Sequence, residues 1–439
     1  MKLGFGWRAR HPAEETAILA GIIVLVLGLV AVGYTVARVR AISGPLLLGF
    51  FLRAILAVVD VFFYRVPGVF DGLKWHKFAQ LNARAGVLPS AEDLQSGQGL
   101  YQSIMTWLYW LFGPSRLMIQ GINVLFGTLV IYNVWQIAEL IWKDSRGSQR
   151  AAWLTAVFPS LVLYSAVLLR EVAVAYPLSL GVLFVVRWML DRRAIHIVKA
   201  AAALLVAMAF HSGAVGLLFA VAFWVVGSWL KAIITRNMVG FGRKTAAMVL
   251  ASGAIVFVLV SGYGMDKFSN VDAGDVQSLQ TQQDYYTRGR TEYLGDLRAD
   301  DSVDLAVQSP LRLVYFLFAP FPWMLSSIRD VFGLLDSGLF FWLIWRLFRK
   351  RKAVAENPRA LVVLAVFGAM ALVFALGVSN YGTAMRHRDK MLPLLIGVGA
   401  TVMVERRATV PGSAPVRRPS LAQQYQIRKA RKAFRSNDT

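Results

Sequence analysis

The sequence predicts an all-α protein that crosses a membrane many times. Of its 439 residues, 57% are hydrophobic and only 16% are charged, and the mean hydropathy is +0.53, well above that of soluble globular proteins. About eleven apolar runs follow one another along the chain, most of them close to the ~20 residues that cross ~30 Å of hydrocarbon. Together these observations favour a polytopic integral membrane protein.

The predicted spans are read from the apolar runs in order. The first is followed by Arg38 and lacks a small-residue cleavage site, so we expect a retained helix. The eleven segments are 17–37, 44–64, 116–141, 151–169, 172–190, 196–211, 213–230, 246–264, 331–348, 360–379 and 391–404. Two shorter runs are expected at the outer surface: 100–113 as an interfacial helix, and the proline-broken 315–325 as a re-entrant or interfacial segment.

Basic residues mark every second connection between these segments. Because cytoplasmic loops are rich in Lys and Arg, the basic connections are expected inside and the acidic stretch 265–312 outside. We therefore predict a membrane domain over 1–405 in a bacterial-type inner membrane, with outer loops 65–115, 265–330 and 380–390 as the place for a substrate site if the domain is catalytic. A basic tail, 406–439, is expected to be disordered and cytoplasmic, lying against anionic lipid headgroups.

Two features of composition exclude classes of function. The net charge of +22 comes from cations that punctuate apolar runs instead of forming one stripe, so membrane lipids are expected as partners and nucleic acid is not. The chain has no cysteine, which excludes disulfides, thiolate metal sites and a cysteine nucleophile.

Several cations lie in predicted outer loops, where topology alone disfavours them. Arg170 stands at an outer helix end, and the last outer loop has four cationic or histidine side chains in the run RHRDK, 386–390. Arginine binds phosphate oxygens through two parallel hydrogen bonds and lysine acts as a point charge, so the pattern indicates an anionic ligand such as a lipid phosphate. The alternative, that each cation reaches towards headgroups, stays open.

Acidic and histidine residues in or near the apolar runs also allow more than one role. Asp71 follows a helix end in the stretch FDGLKWHKFA, 70–79, where it is either a solvated loop residue or a catalytic carboxylate. Asp60 lies inside an apolar run seven residues after Arg53, and an intramembrane ion pair between the two is expected. His211 either satisfies a hydrogen bond at a helix end or contacts substrate, and Arg288 and Arg290 of the acidic loop are candidates for sugar contacts.

Four stretches of the chain resemble the GT-C superfamily of membrane glycosyltransferases, which includes protein mannosyltransferases and lipid A aminoarabinose transferases. They are FDGLKWHKFA, LYQSIMTWLYWLFGPSRLMIQGINVLFGTLVI, AAWLTAVFPSLVLYSAVLLREV and RHRDKMLPLL, within about residues 44–190 and 313–400. The resemblance implies a sugar donor linked to polyprenyl phosphate, with a glycan or lipid acceptor. It makes Asp71 the catalytic base, with Arg170, Arg386 and Arg388 contacting the donor phosphate.

The candidate substrate-binding residues are the polar side chains of the predicted outer loops: Lys74, His76, Lys77, Arg170, Glu171, His211, Arg288, Arg290, Arg386, His387, Arg388 and Lys390. Two roles stay open for Lys74, His76 and Lys77, namely electrostatic support of the Asp71 carboxylate or contact with the donor phosphate. No resident cofactor or metal is predicted; a divalent cation becomes plausible if the donor is a diphosphate.

Two other functions compete with this interpretation. A polymerase of O-antigen or exopolysaccharide repeat units would also be polytopic and would use outer arginines to hold lipid diphosphates. A transporter or flippase of lipid-linked oligosaccharides predicts ionisable residues in the middle of several spans, and only Arg53 and Asp60 fit that pattern.

Overall fold

The computed structural model describes residues 12–66, 70–211, 213, 233–234, 291–294, 302–327 and 330–400. Fourteen α-helices form this part of the chain, together with two 3₁₀ turns at Arg40–Ile42 and Pro322–Met324. The helices are α1 (Pro12–Arg38), α2 (Ser43–Phe62), α3 (Phe70–Ala85), α4 (Gly97–Phe112), α5 (Arg116–Trp142), α6 (Ser145–Val157), α7 (Pro159–Ala166), α8 (Glu171–Asp191), α9 (Ala194–Phe210), α10 (Ser302–Phe318), α11 (Asp330–Arg349), α12 (Arg351–Ala355), α13 (Pro358–Gly377) and α14 (Tyr381–Gly399).

Six helices in the described ranges are long and apolar enough to cross a membrane. They are α1, α2 with its preceding 3₁₀ turn, α5, α8, α11 and α13. These six confirm the prediction of an all-α, multi-pass membrane protein, whereas the predicted number of eleven is not reached in these ranges. Helix α9 is apolar but shorter, and the predicted spans 213–230 and 246–264 lie almost wholly outside the described residues.

Helix α5 is the centre of the helix packing. It contacts α1, α2, α6, α7, α8 and α14, and most of its length is buried. The side chains that it buries are mainly aliphatic, with Asn123 and Asn133 among them. Helix α14 therefore packs against a central, mostly buried helix, and this packing positions the charged run 386–390.

The predicted span 151–169 is wrong, because the segment forms two short helices. Helix α6 ends at Val157 and α7 begins at Pro159, with Phe158 between them in an extended conformation (ψ 126°). Proline has no backbone N–H to donate to the preceding turn, and its ring disfavours a helical conformation in the residue before it. The break is therefore a direct consequence of Pro159.

The predicted outer loop 380–390 is also wrong, because it is the first half of α14. The side chain of Asn380 accepts hydrogen bonds from the backbone N–H groups of Gly382 and Thr383, which caps the helix before the charged run. The hydropathy of RHRDK suggested a solvated loop, but His387, Arg388, Asp389 and Lys390 are all buried. Arg388 and Lys390 each lie 3.9 Å from a carboxylate on another helix, Asp336 and Glu171 respectively, a long-range pairing that a hydropathy profile does not register.

The expected ion pair between Arg53 and Asp60 is not formed. Arg53 donates hydrogen bonds to Ser165 Oγ at 2.8 Å and to backbone carbonyls on α2 and α6. Asp60 instead accepts from Arg116 Nη2 at 2.5 Å and Gln120 Nε2 at 2.7 Å. Seven residues correspond to ~10.5 Å along a helix, so one helix holds the two charges too far apart for direct contact.

Candidate active site

Arg386 joins two carboxylates from different parts of the chain. Its Nη1 donates to Asp71 Oδ2 at 2.9 Å, and its Nε donates to Glu171 Oε1 at 2.8 Å. Asp71 lies in the first turn of α3, Glu171 is the first residue of α8, and Arg386 lies in the first half of α14. Three predicted site residues, more than 300 positions apart at the extremes, are thus brought together at helix ends.

The two acids differ strongly in their exposure. The Asp71 side chain is 49% exposed and that of Arg386 is 21% exposed, whereas Glu171 is 2% exposed. A buried ion pair is held tightly because breaking it leaves an uncompensated charge, whereas a solvated pair opens at little cost. Glu171 is therefore the fixed anchor of Arg386, and Asp71 is the partner that can be exchanged.

Lys390 adds a second cation beside the same carboxylate. Its Nζ lies 3.9 Å from Glu171 Oε1 and 2.8 Å from His387 Nδ1. An ammonium group has only donors, so Nδ1 of His387 accepts and the proton of this neutral imidazole sits on Nε2. The His387 ring stacks on Phe374 at a centroid distance of 4.6 Å and meets the ring of His211 at 5.0 Å. These contacts bring together Glu171, His211, His387 and Lys390, four of the candidate substrate-binding residues.

The turn before α8 is fixed by buried hydrogen bonds that the sequence analysis missed. Asn123 Nδ2 donates to the carbonyls of Val167 and Leu169 at 3.0 and 2.9 Å, and Tyr101 Oη donates to the Leu169 carbonyl at 3.2 Å. These bonds hold the chain at the entrance to α8 and so position Glu171. The available signal was an amide side chain within the apolar run of α5.

Gly72 allows α3 to approach this turn. A Cβ atom at residue 72 would lie 1.8 Å from the carbonyl oxygen of Leu168, a distance at which atoms overlap. The neighbouring Trp75 is buried against Tyr101, with ring centroids 5.8 Å apart. The sequence FDG therefore places Asp71 next to Glu171 because the residue that follows it has no side chain.

Arg170 lies next to the cluster but has its own contacts. Its Nη1 donates to the carbonyl of Phe210, the last residue of α9, at 3.1 Å, and its guanidinium lies 5.8 Å from the Trp75 ring centroid. A cation at the carboxyl end of a helix is favoured by the helix dipole. Arg170 thus links α9 to α3 while remaining beside Glu171 in the chain.

Arg388 does not converge with Arg386. It is 1% exposed, and it donates to the Leu317 carbonyl at 2.6 Å and to Ser337 Oγ at 3.1 Å, with Asp336 Oδ2 3.9 Å away. Residues two apart on a helix point about 200° from each other, so the two arginines address different neighbours. The two arginines expected to hold one phosphate therefore have different positions: Arg386 lies in the site, whereas Arg388 packs α14 against α11.

The three predicted residues of α3 are divided between two faces of the helix. Lys74 and Lys77 are on its exposed face. His76 Nδ1 lies 2.8 Å from the hydroxyl of Tyr109 on α4. Burial, together with the nearby charges of Arg116 and Arg65, lowers the pKa of His76 to about 4, so this imidazole is neutral at physiological pH.

The remaining predictions lie at or beyond the limits of the described residues. Arg288 and Arg290 are outside them. The adjacent residues 291–294 pair with the start of α14: Tyr293 N donates to the Ser379 carbonyl, and Tyr381 N donates to the Thr291 carbonyl, both at 2.9 Å. Among the residues that the structure describes, no three His, Asp or Glu side chains group as metal ligands. Residues 291–294 of the acidic stretch thus lie beside the start of the helix that carries Arg386.

Comparisons with known proteins assign no family. No protein-family model matches the chain, and no curated protein matches it. The functional interpretation therefore depends on the residues of the site itself.

Proposed function

We propose that the protein is a membrane glycosyltransferase of the GT-C type, which transfers a sugar from a polyprenyl-phosphate donor to a glycan or lipid acceptor. The observation that carries the proposal is the contact of Arg386 with both Asp71 and Glu171. It combines an accessible carboxylate with a firmly anchored guanidinium at the start of the spanning helix α8. A lipid-linked donor would present its phosphate at that level.

In this reaction the acceptor hydroxyl oxygen attacks the anomeric carbon of the sugar, and the bond from that carbon to the phosphate oxygen breaks. Asp71 takes the proton from the hydroxyl, and the electron pair leaves with the polyprenyl phosphate. Arg386 stabilises the charge that develops on the departing phosphate, and Lys390 lies near enough to add to this stabilisation. Glu171 keeps Arg386 oriented throughout.

The observed contacts suggest how the donor enters. Arg386 is engaged by Asp71 in the structure, so a donor phosphate has to replace one of its two acids. The replaced acid is Asp71, because its side chain is 49% exposed while that of Glu171 is 2% exposed. Release from Arg386 leaves the Asp71 carboxylate free to accept the proton of the acceptor hydroxyl at the moment when the donor is bound.

We place the site on the outer, periplasmic or extracellular side of a plasma membrane. The basis is the sequence: every second connection is basic, and the stretch 265–312, which precedes α10 and extends into it, is acidic. Asp71, Glu171 and Arg386 then share the side opposite to the basic connection after Arg349.

The proposal is tested by mass spectrometry of lipid-linked glycans from the native host, with the gene present, deleted or replaced by variants. Asp71→Asn and Arg386→Gln are expected to reproduce the deletion, with a glycan that lacks one sugar. The matched control is Asp93→Asn, since Asp93 is an exposed carboxylate of the α3–α4 connection that accepts hydrogen bonds from Ser90. Control cells are expected to contain the complete glycan.

Other outcomes distinguish the competing functions. Complete single repeat units that accumulate on the carrier in the deletion strain would indicate a polymerase. An unchanged glycan pool in all strains would refute glycosyl transfer and favour transport. Binding of geranyl phosphate to the purified protein adds a direct readout: Arg386→Gln is expected to weaken it, and Asp71→Asn is expected to leave it equal or tighter.

A further inference from the structure

One face of α3 combines exposed apolar and cationic side chains. Phe70 is 71% exposed and Leu81 is 56% exposed, and Phe78 is exposed between them. Lys74, Lys77 and Arg84 are exposed on the same helix. At 100° per residue these six side chains fall within one sector of about 120°, whereas the buried Gly72, Trp75 and Ala79 lie on the opposite side.

The position of α3 along the chain holds it at a membrane boundary. Helix α2 is a spanning helix that ends at Phe62, and α3 begins at Phe70. The following α4 ends at Phe112 and the spanning α5 begins at Arg116, a separation of ~14 Å at full extension. The contact of Asp60 with Arg116 shows that α2 ends where α5 begins. Helices α3 and α4 are therefore tethered at both ends to one side of the membrane domain.

The composition of this face matches a helix that lies in a bilayer interface. Phe and Leu side chains enter the boundary between headgroups and acyl chains, and Lys and Arg beside them attract anionic lipid. No acidic residue falls within the sector defined by Phe70, Lys74, Lys77, Phe78, Leu81 and Arg84. Asp71 lies just outside its edge and contacts Arg386. An aqueous face would not need three large apolar groups, and a purely lipidic face would not carry three charges.

We propose that this α3 face is a docking surface for anionic phospholipid headgroups of the surrounding bilayer. It assigns Lys74 and Lys77 to the membrane instead of the donor phosphate, and it is independent of the proposed enzymatic function. Contact of this surface with the bilayer fixes the depth of α3 relative to the membrane. Because Asp71 is in the first turn of α3, its position relative to the start of α8 is fixed as well.

The depth of the surface can be measured directly because the chain has no cysteine to remove. Nitroxide labels at Leu81→Cys and Ala91→Cys of the full-length protein, in nanodiscs of phosphatidylcholine with phosphatidylglycerol, report access of oxygen and of a water-soluble nickel chelate. Ala91 is the control, since it is an exposed residue of the connection between α3 and α4. The label at 81 is expected ~5–10 Å inside the headgroup boundary and the label at 91 in water. Equal access of the nickel chelate to both labels would refute the proposal.

The charge component is tested by the triple substitution Lys74→Gln, Lys77→Gln and Arg84→Gln. The preference of the protein for fluorescent phosphatidylglycerol over phosphatidylcholine is expected to fall about fivefold for each cation removed, since a charge near a membrane surface contributes ~1 kcal/mol. The matched control replaces Arg349, Arg351 and Lys352, three exposed cations elsewhere, and is expected to leave the depth of the label at 81 unchanged.

A different pair of results would overturn the assignment in favour of the substrate site. If the triple variant keeps its lipid preference but loses affinity for geranyl phosphate, Lys74 and Lys77 serve the donor and the surface proposal fails. If the wild-type protein binds no geranyl phosphate but shows the expected depth and lipid preference, the proposed function fails and the docking surface stands.

Discussion

Removing either acid that contacts Arg386 tests whether Glu171 is the anchor of the site. Glu171→Gln leaves a largely buried guanidinium without its buried counter-charge, and breaking a buried pair in this way costs about 3–5 kcal/mol of folding stability. Asp71→Asn removes a partner whose side chain is 49% exposed, and loss of a solvated pair costs about 0–1 kcal/mol. The two variants are thus expected to differ by at least about 2 kcal/mol, a factor of about 30 in the unfolding equilibrium.

The assay is reversible unfolding in mixed micelles with increasing dodecyl sulfate, followed by circular dichroism of the helices. The double variant Glu171→Gln with Arg386→Met provides the internal check, because it removes the stranded charge along with its partner. It is expected to recover part of the stability lost in Glu171→Gln. Equal losses for Glu171→Gln and Asp71→Asn, or no recovery in the double variant, would refute the distinction between an anchor and an exchangeable partner.

Two further predictions concern α3. The pKa of His76 falls from an ordinary value of 6.5 to about 4 in the fold, so the unfolded chain binds the proton more readily than the folded protein. The contribution of neutral His76 to the free energy of unfolding is therefore fully present above pH 6.5 and is lost as the pH falls towards 4. Thermal unfolding at several pH values should show a smaller loss of stability over this range in His76→Gln than in the wild type. Gly72→Ala places a methyl group on the Leu168 carbonyl, so the helix has to move; we expect a loss of about 1–3 kcal/mol and impaired function, whereas wild-type behaviour would show that this close approach is not required.

The spans were predictable from sequence where hydropathy decides the structure. The six long helices are uniformly apolar over about 20 residues, which leaves few alternatives in a bilayer. Hydropathy predicted the wrong backbone at 151–169, where one proline interrupts an apolar segment, and at 380–390, where charged residues are helical and buried. In both places a local or long-range interaction, invisible to a hydropathy window, determines the backbone.

The site was predictable in its residue types but not in its pairings. Arg386 was a candidate because a cation is disfavoured in an outer loop, and Asp71 was a candidate through the GT-C resemblance; the structure brings them within 2.9 Å. Arg388 is a cation in the same run of the sequence, but it packs against α11. The different directions of the two arginines follow from the helical conformation of 381–390, which hydropathy did not predict. Asn123 was missed because α5 also contains Gln120, Asn133 and Gln136, so an amide within its apolar run does not by itself mark a site residue.

Helix α14 connects these observations, because its charges hold it from two sides. Arg386 fastens it to Glu171 of α8 and Asp71 of α3, while Arg388 fastens it to the carbonyl of Leu317 and to Asp336 of α11. A rotation of the helix that improved one set of contacts would break the other, and each set includes a carboxylate that is almost fully buried. The orientation of Arg386 is therefore determined twice, which is the property expected of a cation that has to meet a developing charge without first reorganising.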